Sequence, residues 1–378
     1  MAAVRRLTAQ TVPAQENVDV LTKAKHGQNT RFGRAALGDI ANKDKAVLPG
    51  KRIALGTRGL TRNEAFTALP KPERPASKPE PMDMADFSEA LNECFPTDVE
   101  DIDSGDYDKP QLCAEYAKEI MRFLRAMEEH YSVSPTYMNN QQEVNEKMRA
   151  ILLDWLVQVH LKFRLLQETL YITMSIIDRF LAVHQVSKRE LQLVGVGAML
   201  LASKYEEMFA PEIGDFVYIT DHAYTKKQIR QMESLIFRKL DFSLGKPLCL
   251  HFLRRNSKAG AVGAEEHTMA KYLMELTLID YQSIKFLPSE IAAASLSLAM
   301  RVMGKGSEWT PTLEHYSGYS EKKLSTCMQR LAQLVLGARD SKQKAVYNKY
   351  ASSKFMKIST MSCLSTSTIT TLAAQDQS

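Results

Sequence analysis

The chain of 378 residues is poor in cysteine and tryptophan, and nowhere holds a long uncharged apolar run. Its five cysteines, Cys94, Cys113, Cys249, Cys327 and Cys363, are odd in number, scattered and never spaced Cys-x-x-Cys, which argues against a disulfide framework and against a zinc site. They read as free thiols. No window approaches the roughly 18 apolar residues that a membrane span requires. The Met-Ala-Ala-Val-Arg-Arg opening lacks the apolar stretch of a secretory signal, so neither a span nor export is expected and the protein reads as intracellular. There is no Gly-x-x-x-x-Gly-Lys loop, no Gly-x-Gly-x-x-Gly and no His-Glu-x-x-His, and the eight histidines are dispersed. No catalytic constellation, cofactor site or metal site is visible. His160, alone on an apolar helix, reads as a packed residue and not a ligand.

What is present is unevenly laid out. The net charge is +5, but residues 1–80 carry 15 Lys and Arg against 7 Asp and Glu, leaving the remainder at −3. A basic tail on a slightly acidic body reads as a solvated arm that carries signals, not as a nucleic-acid interface. Within residues 1–82 the only aromatics are Phe32 and Phe66, and prolines crowd the end at 70, 72, 75, 79 and 81. Such a segment buries too little apolar surface to offset its ordering entropy, so a disordered regulatory tail is predicted over 1–82. Residues 83–110 follow as an acidic linker, with ten carboxylates and no Lys or Arg between Asp83 and Asp108. It is expected to be largely unstructured, with at most a short helix near Phe87 to Cys94.

Beyond Pro110 the texture becomes helical. Tyr116, Ile120, Phe123 and Leu124 form one stripe of a helix ending near His130, and Met148, Ile151, Leu152, Trp155, Val159 and Phe163 repeat the pattern behind Asn145 as N-cap. Further helices are predicted over 169–181, 187–208 and 225–237, and Pro247 and Pro288 open two more. An internal echo then emerges. Leu278-Ile279-Asp280 repeats Ile176-Ile177-Asp178 after 102 residues, and each is followed by a helix of small residues: Gly195, Gly197, Ala198, Ala202 and Ser203, then Ala292, Ala293, Ala294, Ser295 and Ala299. Small side chains let neighbouring backbones approach, which suits the centre of a bundle. The expected fold class is therefore all-α, with two similar helical domains in tandem.

Several runs resemble a known family. Met148-Arg-Ala-Ile-Leu-Leu-Asp-Trp-Leu-Val-Gln-Val-His160 resembles the opening of the cyclin box. So do Phe163-Arg-Leu-Leu-Gln-Glu-Thr-Leu-Tyr171, Asp178-Arg-Phe-Leu181, Leu201-Ala-Ser-Lys-Tyr-Glu-Glu207 and Phe216-Val-Tyr-Ile-Thr-Asp221. They are collinear and spaced as in the B-type mitotic cyclins of vertebrates, and the resemblance spans 111–359. It implies two tandem five-helix cyclin folds, over 111–243 and 244–360, with a flexible tail at 361–378. It also implies a regulatory subunit that activates a mitotic cyclin-dependent kinase as a heterodimer, the kinase supplying all the chemistry.

The family's functional positions carry over by motif. Lys204 and Glu233 match the pair that grips the kinase's regulatory helix, with Glu207, Lys226, Phe237 and Phe242 adjoining, and Tyr116 and Ile120 extending the contact from the preceding helix. Met148, Ile151, Leu152 and Trp155, with Gln192, match a patch that docks Arg-x-Leu peptides of substrates and inhibitors. Gln158 departs from S-phase cyclins, which place a carboxylate there, so one charge partner for such a peptide is missing. Arg34-Ala-Ala-Leu-Gly-Asp-Ile-Ala-Asn42 resembles a destruction box, offering Arg34, Leu37 and Asn42 to the ubiquitin ligase of the anaphase-promoting complex, with Lys43, Lys45 and Lys51 nearby as acceptors. The resemblance further implies residence in cytoplasm and nucleus, with the centrosome as an additional station. The competing reading is a tandem cyclin-fold adaptor of the transcription-factor kind that binds DNA and polymerase, which calls for an N-terminal zinc ribbon and a basic folded core.

Overall fold

The computed structural model describes residues 98–304 and 309–374, and among these there is helix, turn and loop but no strand. A leading helix α1 (Ala117–His130) precedes two runs of five helices. The first comprises α2 (Glu146–Phe163), α3 (Gln167–Val183), α4 (Leu191–Glu206), α5 (Ile213–Ile219) and α6 (Lys226–Lys239). The second comprises α7 (Cys249–Ala259), α8 (Ala264–Ile279), α9 (Pro288–Met303), α10 (Pro311–Ser317) and α11 (Glu321–Ala338), followed by α12 (Ala345–Tyr350) and α13 (Ser367–Ala374).

The helix boundaries have local causes. The Asn145 side chain accepts from the Met148 amide at 3.0 Å and starts α2, and Thr225 with Gln228 forms a reciprocal capping box at α6. Pro288 occupies the first turn of α9, where its missing N–H costs nothing, and Gly304, with φ of 69°, ends that helix in the left-handed region. Pro247, expected to open a helix, instead stands just ahead of α7, whose N-cap is Leu248.

The small-residue helices occupy the bundle centres. Every residue of α4 from Leu191 to Ser203 except Gln192 is buried, as is every residue of α9 from Ile291 to Met300. Gly195 shows why size matters. A Cβ there would stand 2.8 Å from Leu152 Cδ1, and one on Gly197 would stand 3.1 Å from Ile236 Cδ1, so α2 and α6 close on α4 through the two glycines.

The echoed aspartates are both anchors, but of different designs. Asp178 is gripped by Arg149, with Nε to Oδ1 at 2.7 Å and Nη2 to Oδ2 at 2.8 Å, and also accepts from the Tyr137 hydroxyl. Arg149 is fully buried and donates its remaining amine to the Ile279 carbonyl of the second fold, so one guanidinium ties both folds. Asp280 is gripped by Arg330 from α11, inside its own fold. A second buried junction joins Glu275 to Lys349 at 2.7 Å, to the Tyr350 hydroxyl at 2.8 Å and to Gln167 of α3.

Two expected flexible segments prove otherwise. Asp98 to Asp108 is pinned to the second fold: Asp103 is buried against Arg255 and Lys258, the Glu100 amide donates to Thr312 Oγ1, and the Ile102 amide donates to the Tyr316 hydroxyl. The acidic composition that suggested disorder is what fits this segment to a basic strip. Likewise residues 361–374 are not a loose tail, because Leu364 and Ile369 are buried and α13 packs along α11. The tail over 1–82, the helix proposed near Phe87, Cys94 and the degron positions Arg34, Leu37 and Asn42 lie outside the described residues.

Candidate functional site: an exposed apolar and charged face

Lys204 is the last basic residue of α4, placed past the buried run that ends at Ser203, and Glu233 lies on the solvent side of α6. The close approach that the glycines permit brings the two together, Nζ to Oε1 at 2.5 Å, with the Lys204 side chain 54% exposed. Beside them Leu201, Tyr205, Ser234, Phe237 and Leu244 line a concavity of about 420 Å³. A paired cation and carboxylate above apolar walls can meet a helix that offers both an apolar stripe and polar backbone ends.

The rim is apolar and open. Phe242 stacks edge-on to Phe237 at 4.8 Å between ring centroids and remains 62% exposed. It and Asp241 adopt positive φ, of 58° and 50°, an uncommon state for a bulky residue, and the backbone turn it makes holds the ring outward. From here Ser243 Oγ bonds the Tyr131 hydroxyl at 2.7 Å, which connects this edge to the end of α1. On α1 the stripe of Tyr116, Ile120 and Phe123 faces solvent, while Met121, Leu124 and Glu128 turn inward. Lys226, the first residue of α6, is exposed, and its ammonium lies near Gly214 of α5.

Glu207 has another use. Its Oε1 accepts from the Leu166 amide at 2.7 Å and from Thr169 Oγ1 at 2.5 Å, so this oxygen caps the start of α3, while the residue stays partly exposed. Neighbours that the motif matching missed are the most open apolar side chains of the described chain: Met208 is 87% and Phe209 82% exposed. The helix predicted over 187–208 absorbed Met208, whereas α4 ends at Glu206 and leaves both side chains in the loop beyond it.

The second candidate patch is shallower than expected. Leu152 is fully buried against Gly195, and Met148 is almost so, because both lie on the α2 face that packs on α4. Leu152 therefore offers no surface. Ile151, Trp155 and Gln192 stay partly exposed, and Gln158 is exposed and bonds Asp154. His160 is buried, with Nε2 at 2.9 Å from the Leu166 carbonyl, and burial pulls its pKa down to about 4. The four described cysteines are free thiols, and among the described residues no acidic, histidine or cysteine cluster is arranged to hold a metal ion. No described helix is long and apolar enough to cross a membrane.

Fold and face together define a class: a tandem all-helical protein with an open apolar and charged face. The family model for the cyclin N-terminal domain matches residues 119–245 and that for the cyclin C-terminal domain matches 247–364. Among curated relatives, the G2/mitotic-specific cyclin-B of Marthasterias glacialis is 50% identical over 384 residues, covering 95% of this chain and 98% of its own. The G2/mitotic-specific cyclin-B2 of Anguilla japonica is 57% identical over 290 residues (76% of this chain, 72% of that one), and that of Bos taurus is 43% identical over 396 (99% and 98%). A solved viral cyclin from herpesvirus saimiri shares the fold, with a TM-score of 0.54 at 21% identity over 60% of this chain and 99% of its own. The chain belongs to the cyclin family, in its G2/mitotic-specific B-type branch. Its role is regulatory and not catalytic.

Proposed function

We propose that the chain binds a mitotic cyclin-dependent serine/threonine kinase and holds it in its working conformation through the face built on Lys204, Glu233, Phe237 and Phe242. The single observation that carries this reading is the open Lys204–Glu233 pair beside an apolar concavity, with exposed Phe242 packed against its Phe237 wall and exposed Met208 and Phe209 just beyond the end of α4. Apolar side chains left in water in this number ask for a partner. Tyr116, Ile120 and Phe123 lengthen the contact along α1. A binding protein shifts a kinase towards its active state only by contacting that state better than the inactive one, so the face meets an element that moves on activation.

Two finer roles complete the reading. Residues 34–42 act as the degron through which the ligase of the anaphase-promoting complex directs ubiquitination, and Ile151, Trp155 and Gln192 with Met148 receive short Arg-x-Leu peptides of substrates and inhibitors. The protein works in cytoplasm and nucleus and at the centrosome. The similarity of the quoted motifs to B-type cyclins supports each of these.

The test is reconstitution. Full-length chain mixed with an inactive mitotic kinase subunit yields histone phosphorylation. The Lys204→Ala, Glu233→Ala double variant, folded by circular dichroism, binds the kinase about 30-fold more weakly or worse, an effect of roughly 2 kcal/mol or more, as expected of a central interface pair. Unchanged affinity would place the kinase on another face. Arg34→Ala with Leu37→Ala leaves activation intact while the protein persists through mitotic exit, and normal decay of that variant would remove the degron from 34–42.

A further inference from the structure

The segment Asp98 to Asp108 lies on the second fold without belonging to its core. Asp103 alone is fully buried in it, and that residue is a carboxylate, while Val99 and Ile102 are only half-buried. The grip is therefore polar. Arg255 meets Asp103 with both prongs of its guanidinium, Nη1 to Oδ1 at 2.6 Å and Nη2 to Oδ2 at 2.5 Å, and Lys258 Nζ reaches Oδ1 at 3.0 Å. The Asp106 amide bonds back to the Asp103 carbonyl at 3.0 Å, a turn that brings the Asp106 carboxylate to the same lysine at 2.6 Å. The backbone is read as well, since the Glu100 amide donates to Thr312 Oγ1 at 3.2 Å and the Ile102 amide to the Tyr316 hydroxyl at 3.3 Å.

The receiving strip is built by the body. Arg255 and Lys258 share a face of α7, and among the described residues they form ion pairs with Asp103 and Asp106 and with no carboxylate outside this segment. The Arg255 guanidinium lies 4.8 Å from the centre of the Tyr316 ring. Arg125 of α1 in turn donates to the Tyr316 and Ser317 carbonyls, so the end of α10 is fixed by groups that stay when the segment leaves. What remains then is a pair of cations beside two acceptor hydroxyls, already in place.

We propose that the strip of Arg255, Lys258, Thr312 and Tyr316 is an exchangeable site for acidic peptides, which Asp98 to Asp108 occupies in cis and an acidic segment of a partner protein occupies in trans. The contacts define that segment. It carries an apolar residue, an aspartate directly after it for Arg255, and a second carboxylate three residues further on for Lys258. At equal contacts the tethered ligand prevails, because its local concentration is high, on the order of millimolar for a short linker. A partner therefore gains the strip where the cis segment is loosened or where it offers further contacts of its own. Exchange moves the point at which residues 1–97 leave the body from Asp98 back towards Lys109, adding the extended length of Asp98 to Asp108, up to about 36 Å.

The probe is a fluorescein-labelled synthetic peptide of residues 98–108, read by anisotropy against the full chain. Its apparent affinity follows the fraction of chains whose strip is open, so Asp103→Asn in the chain, which loosens the cis segment about tenfold, is expected to bind the peptide about tenfold more tightly than the parent does. Adding Arg255→Gln to that variant weakens binding at least tenfold, and adding Lys258→Gln instead weakens it severalfold, with melting midpoints equal to that of the Asp103→Asn chain as the check on folding. A scrambled peptide of the same composition binds at least tenfold more weakly than the ordered one. Amide exchange across 98–108 verifies the loosening, and should Asp103→Asn leave the segment protected, the Asp103→Asn, Asp106→Asn double variant takes its place under the same criteria. The proposal is overturned by any of four results: no saturable binding to the loosened chain, equal affinity for parent and loosened chain, equal affinity for the scrambled peptide, or full affinity in the folded variant that also carries Arg255→Gln.

Discussion

The two helical folds share a plan and differ in what they leave open. Among the described residues the first, with α1, exposes Tyr116, Ile120, Phe123, Leu161, Val183, Tyr205, Met208, Phe209, Tyr218 and Phe242, whereas the second exposes only Leu336 and, just beyond α12, Met356 among its large apolar residues. The second is wrapped instead. Asp98 to Asp108 lies across α7 and α10, α12 and its following turns cover α8, and α13 packs on α11. Duplication thus conserved the core, a small-residue helix encircled by four others, and left the surfaces to diverge. A core is constrained by volume, while a face is constrained only by what it must meet.

That comparison can be broken most severely at the echoed aspartates. Arg149→Met leaves the Asp178 carboxylate stranded in the core and is expected to cost about 3–5 kcal/mol. Arg330→Met, at a pair with access to water, is expected to cost about 1 kcal/mol, both read from urea melts. Equal losses would show that Arg149 does not weld the folds.

A smaller effect separates the two folds by pH. Each holds a histidine whose pKa burial lowers to about 4, His160 in the first and His267 in the second. The unfolded chain takes up these protons near the ordinary value of 6.5, so stability is complete above 6.5 and declines as pH falls towards 4. Between pH 7 and pH 5 His160 contributes a loss of about 2 kcal/mol, and the half-buried His267 contributes less. Chemical denaturation of His160→Gln over that range checks this. A slope as steep as the parent's would refute the assignment.

The smallest effect is confined to the wrapping. Burial resists ionisation of Asp103, yet the hydrogen bonds from Arg255 and Lys258 prevail and hold its carboxyl below the usual range. Asp103→Asn is expected to release Asp98 to Asp108, raising amide exchange there about tenfold, or about 1–2 kcal/mol of local stability. The global melting midpoint stays in place. Loss of the whole second fold would mean the segment is part of its core.

The fold was legible because its signals are local or periodic. Asn145, Thr225 and Pro288 mark helix starts whatever lies around them, and the small residues of α4 and α9 announce their central places. Long-range partners left no such mark. Nothing in the sequence ties Asp103 to Arg255, 152 residues away, so a run of acids read as disorder. The capping role of Glu207 was invisible for the same reason, because its donors, the Leu166 amide and the Thr169 hydroxyl, lie about 40 residues away at the start of α3. The stripe on α1 was visible by its period, but period cannot say whether a stripe meets the core or water, and here Tyr116 and Phe123 meet water.

The clasp on Asp103 sets the route by which mechanical load enters the protein. The described body begins at Asp98, and the first bonds inward are to Thr312, Tyr316, Arg255 and Lys258 of the second fold. A pull on the amino-terminal arm, such as an unfolding motor exerts, is therefore borne by the second fold before α1 or the docking face feels any tension. Extraction therefore begins by peeling Asp98 to Asp108 from α7 and α10, and only then does the load pass along the chain to α1 and the first fold.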